Sequence, residues 1–209
     1  MASPARQRII DAALVLIRER GIGRVTTREI AAVAGVAEGS LFKNFGDKMG
    51  LLTQLVNFDL PENRAWRALA EEPPSGDGGP VAALVVFLER AVDFYVAVLP
   101  LHAGSFADRE LLRRHQDLNR EHGSGPQLAI AAAADCLRGW QQSGHLDPAA
   151  DPYALGAALC GGALMCAYIE QLAGTEQVPG GRASYIRGLA SSVIGPYVTA
   201  GPPGKEPAS

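Results

Sequence analysis

The residues best suited to binding a partner are the basic and polar side chains between Arg24 and Lys48. Arginine and lysine can donate to phosphate oxygens, and the amide, hydroxyl and carboxylate groups between them can reach base edges. The first 58 residues hold eight Lys and Arg against five Asp and Glu, a net +3, so the rest of the chain carries −6. This asymmetry indicates that only the N-terminal part meets a polyanion.

Groups that could support catalysis or metal binding lack a recognisable arrangement. The four histidines (His102, His115, His122 and His145) have no metal-ligand spacing, and the three cysteines (Cys136, Cys160 and Cys166) have no disulfide or zinc spacing. We expect the cysteines to be small buried hydrophobic residues. A helical enzyme that uses Cys136 or Cys160 with a histidine is an alternative, but no nucleophile motif surrounds either thiol. We therefore predict no enzyme activity, no catalytic residues, no metal and no cofactor.

Helical periodicity places the basic stretch in a set of short helices. Apolar residues recur at helical spacing over about residues 4–20, and Thr26 with Glu29 forms a capping box that starts the next helix. Gly35 can close that helix in the left-handed conformation, and a further helix follows over about 37–45. Two short helices joined at a glycine indicate a helix-turn-helix.

The sequence from Thr26 to Leu52 fits the pattern T-T-R-x-I-A-x-x-A-G-V-x-x-G-x-L-Y/F-x-x-F-x-x-K-x-x-L-L. With the preceding amphipathic helix and the chain length, this resembles the TetR family of transcriptional regulators. The specific resemblance covers roughly residues 5–60.

The resemblance implies an all-α protein with two domains. These are an N-terminal three-helix helix-turn-helix DNA-binding domain over residues 1–47, with its motif at about 26–45, and a larger helical ligand-binding and dimerisation domain over 48–200. The tail at 201–209 is expected to be disordered. In the larger domain the sequence predicts helices over about 48–72, 81–99, 110–121, 127–143, 152–173 and 182–197, with a loop at 73–80 and a kink or end at Pro100.

The resemblance also implies which side chains meet DNA. The first turn of the second helix would touch the backbone, Lys48 would grip phosphate, and the outer surface of the third helix would enter the major groove. The predicted DNA-binding residues are Thr27, Arg28, Glu38, Gly39, Ser40, Phe42, Lys43, Asn44 and Lys48. Asparagine can read adenine and a carboxylate can accept from cytosine, so Asn44 and Glu38 are candidate specificity determinants.

Three positions depart from the usual pattern of the family. Asn44 replaces a frequent histidine or tyrosine. Ala37 stands where a capping Ser or Thr is frequent, which costs about 1 kcal/mol of helix-end stability. Phe42 replaces a common tyrosine, so a hydroxyl bond to phosphate is lost.

Regulators of this family hold an inducer in a pocket within the helical body, and an apolar set of residues could line such a pocket. The set is Trp66, Phe87, Phe94, His102, Phe106, Trp140, Met165 and Tyr168. His102 and Tyr168 would be the polar contacts to a largely apolar ligand. The alternative is that these residues only fill the core.

The last two predicted helices are rich in small residues, and mid-helix glycine needs compensation by close helix contact. In the family these helices form a four-helix dimer interface, to which Gly156, Cys160, Ala163, Leu189 and Ser192 would contribute. Close packing inside one subunit is the alternative.

The function implied is a ligand-responsive regulator, most simply a repressor that binds a pseudo-palindromic operator as a homodimer and is released by a small, largely apolar ligand. An activator with the same architecture stays open, whereas the acidic body argues against a nonspecific architectural DNA binder. The richest apolar stretches are broken by charge or glycine before they reach ~18 residues, so we expect a cytoplasmic protein without membrane contact.

Overall fold

The structure is a computed structural model of the 209-residue chain, and it describes residues 4–21, 24–64 and 78–199. Within these ranges the backbone forms helices and no strands, which confirms the all-α prediction. The main helices are α1 (Pro4–Arg20), α2 (Thr27–Val33), α3 (Glu38–Phe45), α4 (Lys48–Gln54), α5 (Gly79–Ala107), α6 (Arg109–Glu121), α7 (Gln127–Gln142), α8 (Pro152–Ala173) and α9 (Arg182–Ile194). Short helical turns cover Leu55–Asp59, Thr175–Gln177 and Gly195–Tyr197.

The chain divides into two compact units. The N-terminal unit comprises Met1–Arg64 and Ala97–Gly125, and the C-terminal unit comprises Ala65–Val96 and Pro126–Ser209. The contacts therefore keep α4, the end of α5 and α6 with the helix-turn-helix, whereas the sequence had suggested a boundary at residue 47. The predicted disordered tail lies outside the described residues.

The helix predicted over residues 48–72 is interrupted. α4 gives way to a π-helical turn over Leu55–Asp59, and Leu60 adopts an extended conformation before helical backbone resumes at residues 61–64. Pro61 explains the break, because proline lacks an amide proton and disfavours helical backbone at the preceding residue. The continuation towards residue 72 lies outside the described residues, as does most of the loop predicted at 73–80.

Pro100 does not end α5, so of the two predicted effects, a kink or an end, the end is wrong. The helix continues to Ala107 with the proline inside it. A proline at position 100 leaves the carbonyl of Val96 without its usual helical donor. The side-chain amide of Gln171 donates to this oxygen at 3.3 Å, which replaces the lost hydrogen bond.

The core of each unit follows the apolar stripes of its helices. In the N-terminal unit, Ile10 of α1, Ile30 of α2 and Leu41 of α3 are at most 1 % exposed. In the C-terminal unit α8 packs closely on α7, since a Cβ on Gly156 would lie only 3.1 Å from the carbonyl oxygen of Ile130. These stripes fix the orientation of α3 and of the outer faces of α8 and α9.

Among the described helices, α8 is long and apolar enough to cross a membrane by length and composition alone. A core helix meets the same criterion, and the buried side of α8 packs against α7 and α9. The expectation of no membrane-spanning segment is therefore not overturned.

Candidate nucleic-acid interface

The first turn of α2 is held by the predicted capping box, which the structure confirms. The hydroxyl of Thr26 accepts from the amide of Glu29 at 3.2 Å, and the Glu29 carboxylate accepts from the amide of Thr26 at 2.9 Å. These bonds to Thr26 lower the pKa of Glu29. Thr27 and Arg28 therefore stand on a fixed helix N-terminus, where free amides favour an anion.

The turn and α3 also form as the sequence predicts. Gly35 has a φ of 64°, in the left-handed region that favours glycine, and Ala37 makes no side-chain cap. A side chain added at Gly39 would meet no atom within 4 Å, so this face of α3 is open to the surroundings. At the end of α3 the guanidinium of Arg6 lies 5.3 Å from the centre of the Phe45 ring.

The N-terminus of α4 completes the set of helix ends around α3. Asp47 caps it, with Oδ1 accepting from the amide of Gly50 at 2.6 Å. Gly50 lies so close to the end of α3 that a Cβ would overlap the carbonyl oxygen of Phe45. Partial burial lowers the pKa of Lys48, against the opposing effect of the Glu29 carboxylate. Lys48 thus stands at a helix N-terminus beside the helix-turn-helix.

All nine predicted DNA-binding residues fall on these three elements of the N-terminal unit. Those exposed are Arg28, Gly39, Phe42 and Lys43, and those partly buried are Thr27, Glu38, Ser40, Asn44 and Lys48. Phe42 is 46 % exposed although it is aromatic, which fits packing against a partner better than packing in the core. Their contacts with DNA remain a prediction.

Two of the candidate base-reading side chains are oriented by neighbours. The hydroxyl of Thr27 donates to the carboxylate of Glu38 at 2.6 Å, and the amide of Asn44 donates to the carbonyl of Ser40 at 2.7 Å. The sequence predicts that Thr27 contacts phosphate, whereas in the structure its hydroxyl binds Glu38. Asn44 uses one of its two amide hydrogens, which leaves a second hydrogen and the amide oxygen for a base.

The residues predicted to line a ligand pocket have different environments. In the C-terminal unit Phe87 is buried, and Phe94 and Trp140 are partly buried. Trp66 lies outside the described residues. In the N-terminal unit, burial and the neighbouring His115, with ring centres 5.1 Å apart, lower the pKa of His102 to about 4. His102 is therefore neutral at pH 7.

Three members of the predicted pocket set are solvent-exposed, so the prediction needs correction there. Phe106 is 72 % exposed, Met165 51 % and Tyr168 49 %. An enclosed site within one chain would cover such side chains. Met165 and Tyr168 instead lie on the outer face of α8.

The predicted dimer-interface set also needs correction. Gly156, Cys160 and Ala163 face inward and are buried within the chain, so a partner cannot reach them. Leu189 is partly buried and covers Gly162, and only Ser192 is fully exposed. Small residues occur on both faces of these two helices, and the sequence does not separate the faces.

The outer face of α8 is mostly apolar. Exposed apolar residues recur along it at helical spacing, namely Ala154, Ala157, Ala158, Gly161, Leu164, Met165, Tyr168 and Leu172, and the exposed Gln171 adds a polar side chain near its C-terminal end. On α9 small residues are exposed at helical spacing, namely Ser184, Gly188, Ser191 and Ser192; Gly195 follows in the next turn, and the exposed Arg187 lies beside this stripe. We call these two stripes together the α8/α9 face.

The three cysteines are buried and reduced, as predicted. Burial raises the pKa of the thiols of Cys136 and Cys160 to about 11, so neither is a thiolate at neutral pH. This argues against the alternative of a cysteine-dependent enzyme. In the described part of the chain no three His, Cys, Asp or Glu side chains come together as a metal site.

Residues 9–55, which include the whole helix-turn-helix, match the family of bacterial regulatory proteins known as the tetR family. Two curated relatives match part of the chain. An uncharacterized HTH-type transcriptional regulator, YvkB of Bacillus subtilis, is 43 % identical over 54 residues, which is 26 % of this chain and 29 % of that protein. The HTH-type transcriptional regulator AcrR of Shigella flexneri is 31 % identical over 83 residues, which is 40 % of this chain and 38 % of that protein. The matched segments thus span well under half the length of either relative.

Solved structures resemble nearly the whole chain in fold. A putative TetR-family transcriptional regulator from Mesorhizobium loti has a TM-score of 0.72 at 18 % identity, covering 93 % of this chain and 97 % of that one. SmeT, the repressor of the Stenotrophomonas maltophilia multidrug efflux pump SmeDEF, has a TM-score of 0.62 at 20 % identity, covering 100 % and 97 %. FadR from Bacillus subtilis, in complex with stearoyl-CoA, has a TM-score of 0.63 at 16 % identity, covering 90 % and 97 %.

The match of the helix-turn-helix sequence and the similarity of the all-helical fold agree with each other. Residues 9–55 thus carry the N-terminal sequence of the tetR family of bacterial regulatory proteins, and nearly the whole chain has the fold of a solved structure described as a TetR-family regulator.

Proposed function

We propose that this protein is a ligand-responsive transcriptional regulator of the cytoplasm, and that it represses transcription by binding a pseudo-palindromic DNA operator as a homodimer. The observation that carries the proposal is the surface around α3. Its outer face is open at Gly39, and it lies between two capped helix N-termini that bear Arg28 and Lys48. A slim helix between phosphate-binding groups suits entry into a major groove.

Dimerisation is proposed on the α8/α9 face. Soluble chains rarely leave a continuous apolar face this long uncovered, and the small residues of α9 allow a second copy to approach closely. A twofold dimer presents two helix-turn-helix surfaces, which suits an operator with two related half-sites.

Control by a small apolar ligand is proposed for the helical body. The related fold of FadR holds stearoyl-CoA, and Phe87, Phe94 and Trp140 offer buried or partly buried aromatic surface in the C-terminal unit. A ligand that prefers a conformation with lower DNA affinity would release the repressor by that difference in binding free energy.

The proposal is tested by selecting bound sequences from random DNA with the purified protein, and by repeating the selection with fatty acyl-CoA and apolar antibiotics as probes. Enrichment of an inverted repeat supports an operator, and loss of the enriched band with one probe supports ligand control. Recovery of random sequences only would refute sequence-specific regulation. A reporter gene behind the enriched sequence then separates repression from activation.

Lys48→Ala should weaken binding to operator and random DNA by the same factor. The side chain is proposed to contact phosphate, so its loss lowers the slope of log affinity against log salt by about one. Fluorescence anisotropy on both DNAs over a salt series measures this slope. Lys43→Ala, on the outer face of α3, also removes one positive charge and serves as the comparison for Lys48→Ala. An unaltered slope for Lys48→Ala contradicts its assignment to phosphate.

Thr27→Ala should relax sequence preference in the same way as Glu38→Ala. Thr27 orients the Glu38 carboxylate, and one well-placed base contact is worth about 1–3 kcal/mol of discrimination. Competition between the operator and single-base variants measures this preference. Thr27→Ser keeps the hydroxyl and should keep the preference. If the effects of Thr27→Ala and Glu38→Ala simply add, the two residues do not act as one unit.

A further inference from the structure

The carboxylate of Asp47 receives two donors from distant parts of the chain. Its Oδ1 accepts from the amide of Gly50 at 2.6 Å, and this bond caps α4. Its Oδ2 accepts from Nε of Arg114 at 3.2 Å. Arg114 lies on α6, 67 positions further along the sequence. One carboxylate therefore joins the start of α4 to α6.

Further bonds join α6 to the segment that follows α4. The side chain of Asn57 donates to the hydroxyl of Ser124 at 3.0 Å, and this hydroxyl donates to Asn119 of α6 at 3.0 Å. The helices α4 and α6 also pack on each other within the N-terminal unit. The Asp47–Arg114 pair is the member of this set of bonds that reaches the helix end bearing Lys48.

The pair also matters electrostatically. The Asp47 carboxylate is adjacent in sequence to Lys48, so without a counter-charge it would repel a phosphate bound there. The guanidinium of Arg114 supplies that counter-charge. Both side chains are about two-fifths exposed, 41 % for Arg114 and 42 % for Asp47, so the pair adds little to folding stability.

We propose that Arg114 is a positioning residue for DNA binding: it holds Asp47 and offsets its charge, so that α4 begins in a fixed place and the Asp47 carboxylate does not repel a phosphate at Lys48. The proposal deepens the proposed function and depends on it. Arg114 acts through Asp47 and need not touch DNA.

The test compares Arg114→Ala with Arg113→Ala by anisotropy on the selected operator and on random DNA. Arg113 is an exposed neighbour on α6, so its loss removes the same charge without touching the Asp47 pair. Arg114→Ala should weaken binding about three- to fivefold more than Arg113→Ala, on both DNAs. Arg114→Lys should recover part of the difference, because lysine restores the charge without the planar guanidinium.

Asp47→Asn supplies the second half of the experiment. Asparagine caps a helix as well as aspartate does but carries no charge. In this background the excess loss from Arg114→Ala should disappear. The thermal midpoints of Arg114→Ala and Arg113→Ala should agree within about 2 °C, which excludes a general loss of structure.

Failure of the role of Arg114 and failure of the proposed function give different results. Equal losses for the two alanine variants, or an excess loss that persists with Asp47→Asn, overturn the role of Arg114 while DNA binding by the wild type stands. A wild-type protein that binds none of these DNAs at low salt overturns the proposed function, and the role of Arg114 with it.

Discussion

Gly161→Glu should leave the chain folded and convert the dimer into a monomer. Gly161 lies in the middle of the α8/α9 face, and a side chain added there would meet no atom of its own chain within 4 Å. Glutamate is a better helix former than glycine, so α8 itself gains. In the proposed dimer the same side chain would be buried with its charge in an apolar interface, which is costly.

The loss of the dimer should reduce operator affinity by about 100-fold or more. Two linked half-site contacts bind with an effective local concentration that a monomer lacks. Sedimentation at micromolar concentration measures the assembly state, and anisotropy on the full operator and on a single half-site measures the affinity. Binding to the half-site should be nearly unchanged.

Gly139→Glu is the matched control for this prediction. Gly139 is also an exposed helical glycine of the C-terminal unit, with no atom within 4 Å of an added Cβ, but it lies in the last turn of α7. This variant should remain a dimer with wild-type affinity. If Gly161→Glu also remains a dimer, the α8/α9 face is not the dimer interface.

The parts of the fold that could be predicted from the sequence are those determined over a few residues. Thr26 and Glu29 are three positions apart, and Gly35 needs only its own backbone conformation. The capping box and the glycine turn could therefore be predicted from the sequence, and the structure confirms both. Pro100 was misinterpreted because the group that compensates it, Gln171, is 71 positions away and outside any local pattern. Pro61 was passed over, although it carries the same kind of local signal and does interrupt the helix.

The same distinction holds for the candidate sites. The DNA-binding residues were assigned from one contiguous motif, so their placement around α3 could be predicted. The orientation of Glu38 by Thr27 and the pairing of Asp47 with Arg114 depend on tertiary contact, and no spacing in the sequence signals them. On α8 the inward Gly156 and the outward Gly161 are five positions apart and of one residue type, so composition could not assign them to faces.

The position of α9 depends on an ionic cluster around Arg182, its first residue. The guanidinium binds Glu170 of α8 through two bonds of 2.7 and 2.6 Å, and it reaches Asp93 of α5 at 2.6 Å. The bonds to Glu170, followed by those to Asp93, raise the pKa of Arg182 above its usual value despite partial burial. An arginine opposes the dipole at a helix N-terminus, so the two carboxylates must compensate for its position.

Arg182→Ala should lower the free energy of unfolding by about 2–3 kcal/mol and the thermal midpoint by about 5–10 °C. The Glu170 side chain is only 5 % exposed and would lose its bidentate partner inside the protein. The expected loss is below that of a fully buried pair because Arg182 itself is 35 % exposed to screening water. Urea unfolding followed by circular dichroism measures it.

Arg187→Ala on the exposed side of α9 is the control, since it removes the same charge from the same helix, and it should change stability by less than about 0.5 kcal/mol. Arg182→Lys keeps the charge but cannot make both bonds to Glu170, so it should fall between the two. Because α9 carries the small residues of the α8/α9 face, Arg182→Ala should also weaken the proposed dimer. Equal stability of the two alanine variants would mean that packing of α9 on α8, and not the ionic cluster, holds this helix in place.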